Sequence, residues 1–166
     1  MRNVELRALV PGQSPGTVFD AVRRWERYPE LAPHVNSTTV HSTLPATVGS
    51  SSWELHFRSG LLRWTEEDVF DVEGTVIRFE QTEGDFDTFS GSWTMTAQGD
   101  DVRVAFDADF DFGIPSLEGI LDPIAERVIK ETVAWAVTGL FPGAEIYGAA
   151  APAPAAAAEP TVPLRS

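Results

Sequence analysis

The chain opens with alternating polar and apolar residues. Residues 2–10 (RNVELRALV) read as a first strand, ended by Pro11 and Gly12. Ser14-Pro15 then suits a helix start, because serine caps orphan amides and proline fits the first helical position. Val18, Phe19, Val22 and Trp25 fall on one face of that helix. A second short helix or turn is expected from Arg27 to Leu31, interrupted by Pro29 and closed by Pro33. From Val35 to Phe112 the period shortens to two, which predicts strands at 35–44, 51–58, 61–72, 75–82, 87–97 and 102–112. The last is the clearest. Val102, Val104, Phe106, Ala108, Phe110 and Phe112 face one way, against Arg103, Ala105, Asp107, Asp109 and Asp111, as in a half-buried antiparallel sheet.

Residues 116–141 return to helical spacing. Leu117, Ile120, Leu121, Ile124, Val128, Ile129, Val133, Trp135 and Val137 give a broad apolar face, with Pro123 expected to kink or split the element. Beyond about residue 148 the chain is Ala/Pro-rich and reads as a disordered tail with little to bury. One domain over 1–147 and a tail over 148–166 follow. The order of strand, two short helices, six strands and a long helix predicts an α+β fold. Seven antiparallel strands form a curved meander, closed on its apolar face by the last helix. A strongly bent sheet cannot touch one straight helix everywhere, so a pocket is expected between them.

Charge narrows the partners. Twelve Lys+Arg against 25 Asp+Glu leave a net charge of −13, which argues against nucleic acid and against anionic membranes. No apolar run approaches a membrane span, the first residues lack a signal-peptide pattern, and a cytoplasmic location is the expectation. There is no cysteine, so thiolate chemistry and disulfides are excluded. The three histidines are too scattered for a metal site, and no phosphate loop, nucleotide fingerprint or nucleophile elbow is present. No cofactor is expected.

The segments VRRWERYPEL (22–31), RWTEEDVFDVEG (63–74) and FEQTEGDFDTFSGSW (79–93), together with the terminal helix, resemble the START-like (SRPBCC) superfamily. The resemblance is to its polyketide cyclase/dehydrase branch, and it spans nearly the whole chain apart from the tail. It implies a helix-grip fold, in which a seven-stranded sheet grips the last helix. Members include aromatase/cyclases acting on polyketides held by an acyl carrier protein, and others carry lipids or quinones. One departure matters. Aromatase/cyclases of this kind tend to carry an inward arginine on strand four, and alignment on Trp64 puts Asp68 there. The aromatic hydroxyl sometimes found after the YPEL-like turn is replaced by His34 and Val35.

Alternation on strand four puts Trp64, Glu66, Asp68 and Phe70 on one face. If that is the pocket face, two carboxylates point inward, and burial with mutual repulsion raises at least one pKa. A protonated acid then polarises a carbonyl while a carboxylate takes a proton, which makes Asp68 and Glu66 the candidate catalytic pair. If a bulge shifts the strand, both are solvated instead. His34, expected near the pocket mouth, is the third candidate, as a general base. Tyr28, Trp53, Trp64, Phe86, Trp93, Phe106 and Trp135 are the candidate substrate-binding rings, since rings offer large rigid surface to a flat ligand. Glu131, on the strip of Ile124, Val128 and Trp135, either faces the pocket from the helix or sits at its solvent edge. Two functions compete. One is a polyketide cyclase-type enzyme that folds a reactive polyketone and promotes aldol closure or dehydration. The other is a carrier of a lipid, quinone or polyketide product. An acyl carrier protein as presenter requires Arg23, Arg24 and Arg27 to form a basic patch on an otherwise acidic surface. Several ionisable groups converging in the pocket favour the enzyme, and an all-apolar pocket favours the carrier.

Overall fold

The structure is a computed structural model describing residues 1–42 and 47–147. The strands are Arg2–Val10 (β1), Val35–Val40 (β2), Val48–Phe57 (β3), Gly60–Asp71 (β4), Val76–Gly84 (β5), Thr88–Gln98 (β6), Asp101–Asp111 (β7) and Glu145–Tyr147 (β8). The helices are Pro15–Val22 (α1), Tyr28–Leu31 (α2) and Glu118–Leu140 (α3). All eight strands form one antiparallel sheet in the order β2-β3-β4-β5-β6-β7-β1-β8. The expected count of seven is therefore corrected to eight. The added strand pairs with β1 at Arg7, Ala8 and Leu9, where it meets backbone groups that an edge strand leaves open. Three residues are too few to show as alternation. β2 ends at Val40 rather than at 44; residues 43 and 44, like the expected tail from 148 onward, lie outside the described residues.

Local chemistry starts the first helix as expected. Ser14 accepts the Thr17 amide, Pro15 occupies the first turn, and Val18, Phe19 and Val22 are buried. α2 is tied back to α1 by the Tyr28 hydroxyl, which donates to the Val22 carbonyl at 2.8 Å. α3 is a single helix through Pro123, where a kink or split was expected. The amide that proline lacks would have bonded the carbonyl of Gly119, which is exposed and open to water, so little is lost there. From Thr132 to Val137 every residue of α3 is buried. That half is covered on all sides, by the sheet and by α1 and α2. The first part is barer: Leu117 and Ile120, expected on the apolar face, are exposed. No helix among the described residues is long and apolar enough to cross a membrane.

Neighbouring strands crowd closely at Gly91, the glycine of the GSW segment. Gly91 pairs with Phe79 on one side and Ala108 on the other. A Cβ there would collide with the Asp107 carbonyl and come within 2.8 Å of the Ala108 Cα. The close approach of the two backbones is possible only without a side chain.

Candidate functional site

β4 places the central groups. Its odd and even positions alternate cleanly, and Trp64, Glu66, Asp68 and Phe70 are buried against the core. A register shift does occur beside Thr65 and Glu66, but its extra residue is Thr82 on β5. The alternation of β4 is undisturbed, and both carboxyls point inward. Glu66 is 4 % exposed and Asp68 is 0 % exposed, so neither is solvated by bulk water.

Three indoles and a hydroxyl surround this pair. Trp64 Nε1 donates to Glu66 Oε1 at 2.8 Å. Trp53 Nε1 donates to Ser51 Oγ at 3.0 Å, and Ser51 Oγ donates to Asp68 Oδ2 at 2.7 Å. Because an indole N–H only donates, Ser51 accepts from Trp53 and must send its own hydrogen to Asp68. Burial pushes the Glu66 carboxyl well above the usual carboxylate range; its hydrogen bond to Asp68 and the Asp68 charge push the same way, against Trp64. Burial also raises Asp68, but hydrogen bonds from Glu66 and Ser51 hold it down, as does the Trp25 N–H, which stops short of full hydrogen-bond geometry. The stronger upward push falls on Glu66, which favours the protonated form there over that of Asp68.

Between sheet and α3 lies a cavity of about 50 Å³, lined by Trp25, Tyr28, Trp53, Leu55, Trp64, Glu66, Phe79, Phe89, Trp93, Phe106, Ile129, Thr132 and Val133. Trp53 and Trp64 stack nearly parallel, 5.9 Å apart at 3°. The space admits a few waters, so a ring system enters only if a wall moves. Of the residues singled out in the sequence, Glu66, Tyr28, Trp53, Trp64, Trp93 and Phe106 reach this cavity. Tyr28 does so with its ring, since its hydroxyl is spent on Val22; burial, then the charges of Glu66 and Asp68, push that phenol well up.

The remaining candidates lie elsewhere. Asp68 stands behind Glu66 and does not line the cavity. Phe86 stacks on Phe89 at 4.6 Å and on Phe112 at 5.0 Å, beyond the cavity wall. His34 Nε2 meets Glu131 Oε1 at 2.7 Å, each side chain 24 % exposed, and the His34 ring lies 4.7 Å from that of Trp135. None of these three lines the cavity. α3 is buried on several faces, and Ile129, Thr132 and Val133 look into the cavity while Glu131 and Trp135 meet the turn after α2. Arg23 is buried between Phe19 and Phe70, so only Arg24 and Arg27 of the expected basic patch are exposed. Ser51 was missed, because nothing local marks a serine whose partner is 17 residues away. Trp25, Phe79 and Phe89 carried a signal in ring type, and in strand parity for the two phenylalanines.

The sequence profile of a family described as polyketide cyclase / dehydrase and lipid transport matches residues 12–136. The chain belongs to this family. A comparison with curated proteins found no match. Among solved structures, this cyclase/dehydrase family member is similar to TTHA0849 from Thermus thermophilus, with 26 % identity, a TM-score of 0.74, and coverage of 85 % of this chain and 95 % of that one. It also shares its fold with the ZhuI aromatase/cyclase from Streptomyces sp. R1128 (15 % identity, TM-score 0.71, 84 % and 93 % covered). A START superfamily protein from Mycobacterium smegmatis matches likewise (16 % identity, TM-score 0.65, 84 % and 94 % covered). The START-like fold and the resemblance to this branch are thereby established.

A stability signature follows from the raised Glu66. A carboxyl whose folded pKa exceeds its unfolded value binds its proton on folding, so its contribution is full at acid pH and fades as pH rises toward the folded pKa. Glu66→Gln cannot ionise. Its melting temperature relative to the parent is expected to rise as pH climbs from about 5 toward the raised folded pKa. A difference that stays flat over that range contradicts the protonated Glu66.

Proposed function

We propose that this family member is a cofactor-independent acid–base enzyme that closes and dehydrates a polyketide-like polycarbonyl compound. The observation that carries the reading is a buried carboxyl, Glu66, in a cavity otherwise walled by rings and aliphatic groups, with a second carboxyl behind it; burial favours its protonated form. An acid held neutral in an apolar site donates a hydrogen bond to a carbonyl oxygen without first shedding water. In ring closure, Glu66 gives its proton to the carbonyl oxygen under attack, and the attacking enol returns its hydroxyl proton to the pair. In dehydration, Glu66 protonates the leaving hydroxyl and its carboxylate takes the α-proton, so one water departs and the pair recovers its proton. Asp68 and Ser51 act through Glu66, keeping its proton available. The rings fold the substrate, and such positioning supplies several kcal/mol of the barrier reduction.

A carrier remains the rival, favoured by one observation: apart from Glu66 and Thr132, the wall is apolar or has its polar atom turned away. A diffusible substrate fits better than one presented by an acyl carrier protein, because the chain is acidic and Arg23 is unavailable to a basic patch. The test is mass spectrometry of ligand retained by the chain when purified from its producing cells, followed by incubation of that ligand with fresh protein. A polycarbonyl compound converted with loss of water supports the enzyme. A lipid or quinone recovered unchanged supports the carrier.

A further inference from the structure

The cavity under α3 admits a ring system only if a wall moves, and its walls differ in how they are held. Most of its lining residues sit on β3 to β7, strands paired on both sides, and Ile129, Thr132 and Val133 sit on α3. The remaining two, Trp25 and Tyr28, belong to a segment of another kind: the turn Trp25–Arg27, α2 and the link to β2. Among the described residues, the backbone hydrogen bonds of residues 25–33 stay between positions 24 and 35. The first bond to the sheet comes at His34, whose carbonyl accepts the His56 amide at 2.8 Å. The segment is also thin. Tyr28 faces the cavity, while its neighbour Arg27 and nearby Glu30 are exposed. Beyond Phe89, by contrast, the wall is backed by Phe86 and Phe112, stacked at 4.6 and 5.0 Å.

Side chains fasten this segment. Glu131, Trp135 and Gly139, spaced by four, make one strip along α3. His34 Nε2 meets Glu131 Oε1 at 2.7 Å, and the His34 ring lies 4.7 Å from that of Trp135. Leu31 rests against the bare backbone of Gly139, where an added Cβ would come within 2.8 Å of Leu31 Cδ2. Toward the other end, the Tyr28 hydroxyl donates to the Val22 carbonyl and the Thr38 hydroxyl to the Trp25 carbonyl. Each of these contacts can break without opening a β-ladder, and segments with few backbone ties to the rest of a fold are the ones that open locally.

We propose that residues 25–34 are the lid of the cavity. The segment swings off α3 about its ends at α1 and β2, carries Trp25 and Tyr28 out of the wall, and lets a flat apolar ligand in beneath it. The strip of Glu131, Trp135 and Gly139 is the seat of the lid, and the His34–Glu131 contact is its latch. The inference rests on the preceding reading only in taking this cavity as the seat of the ligand, and it holds for an enzyme or a carrier alike.

The test locks the lid. An ideal Cβ at Gly139 lies 3.6 Å from the Leu31 Cβ, a separation that a disulfide spans. The chain has no cysteine, so the double variant Leu31→Cys/Gly139→Cys can form one intramolecular bridge, confirmed by thiol titration. The probe is 2-naphthol, uncharged at neutral pH, and its entry is followed by stopped-flow quenching of tryptophan fluorescence. Oxidation of the variant is expected to slow association about tenfold or more, and reduction to restore it, while the parent ignores the same oxidant. Glu131→Ala, which removes the latch, gives a second reading: association and dissociation both quicken about threefold or more, with little change in Kd. Equal association rates in the bridged and reduced forms overturn the lid. So does a parent that takes up no naphthol, or a Glu131→Ala protein that melts lower with both rates unmoved. Glu66→Gln should admit and release naphthol at parental rates, so a failure of the catalytic reading is distinguishable from a failure of this one.

Discussion

Glu66→Gln is expected to lower turnover of the retained polycarbonyl ligand by about a hundredfold or more, the usual scale for a lost general acid, with little change in binding. The substitution keeps the shape of the side chain and removes the transferable proton. In the parent, activity should fall as pH rises through the elevated pKa of Glu66, because the acid form is the one that works. That alkaline limb should be absent from the residual activity of the variant. Asp68→Asn tests the positioning role separately. The charge and hydrogen bond of Asp68 both raise Glu66, so removing the charge should bring the alkaline limb to lower pH. Parental rates in both variants would leave the pair a structural feature and make the carrier the better reading.

Gly91→Ala should be among the most damaging conservative changes in the chain. The added methyl meets backbone rather than a side-chain end: the Asp107 carbonyl, and the Ala108 Cα at 2.8 Å. Neither can swing away without opening the β6–β7 ladder. A cost of about 3 kcal/mol is in range for overpacking against fixed backbone. For a domain of this size that corresponds to a fall in melting temperature of roughly 10 °C. Gly99→Ala is the control. No neighbour lies near its Cβ, so the loss there reflects only the left-handed φ of 63°. A Gly91→Ala protein melting with the parent would mean that the β6–β7 backbones can part there at little cost.

The inward pair on β4 was legible because alternation is a local property: once Trp64 and Phe70 are assigned to the core, Glu66 and Asp68 follow. The bulge at Thr82 could have broken that logic, and it falls on the neighbouring strand instead. The WERYPEL segment likewise announced its turn, and Tyr28, singled out as a binding ring, lines the cavity. Helix faces were less readable. α3 is surrounded in its second half, so a single apolar stripe does not exist there, and Glu131 and Trp135 meet His34 rather than the cavity. Ser51 and Arg23 were beyond reach for another reason. Their roles depend on register and on packing between distant segments, which no local pattern encodes. β8 escaped because three residues carry no period.

The two borders of the sheet bear on how the chain behaves when crowded. Among the described strands the outermost are β2, with six residues, and β8, with three. Short borders offer few open amide and carbonyl groups for another copy to zip onto, and the part of β1 that β8 leaves unpaired carries the charged Arg2 and Glu5. The longer and more apolar β6 and β7 are locked in the middle, paired on both sides. With a net charge of −13 repelling like chains, the folded protein should resist fibril growth even at high concentration. Any aggregation should therefore begin from unfolded chain, where β7, with Val102, Val104 and Phe106, is released from its neighbours.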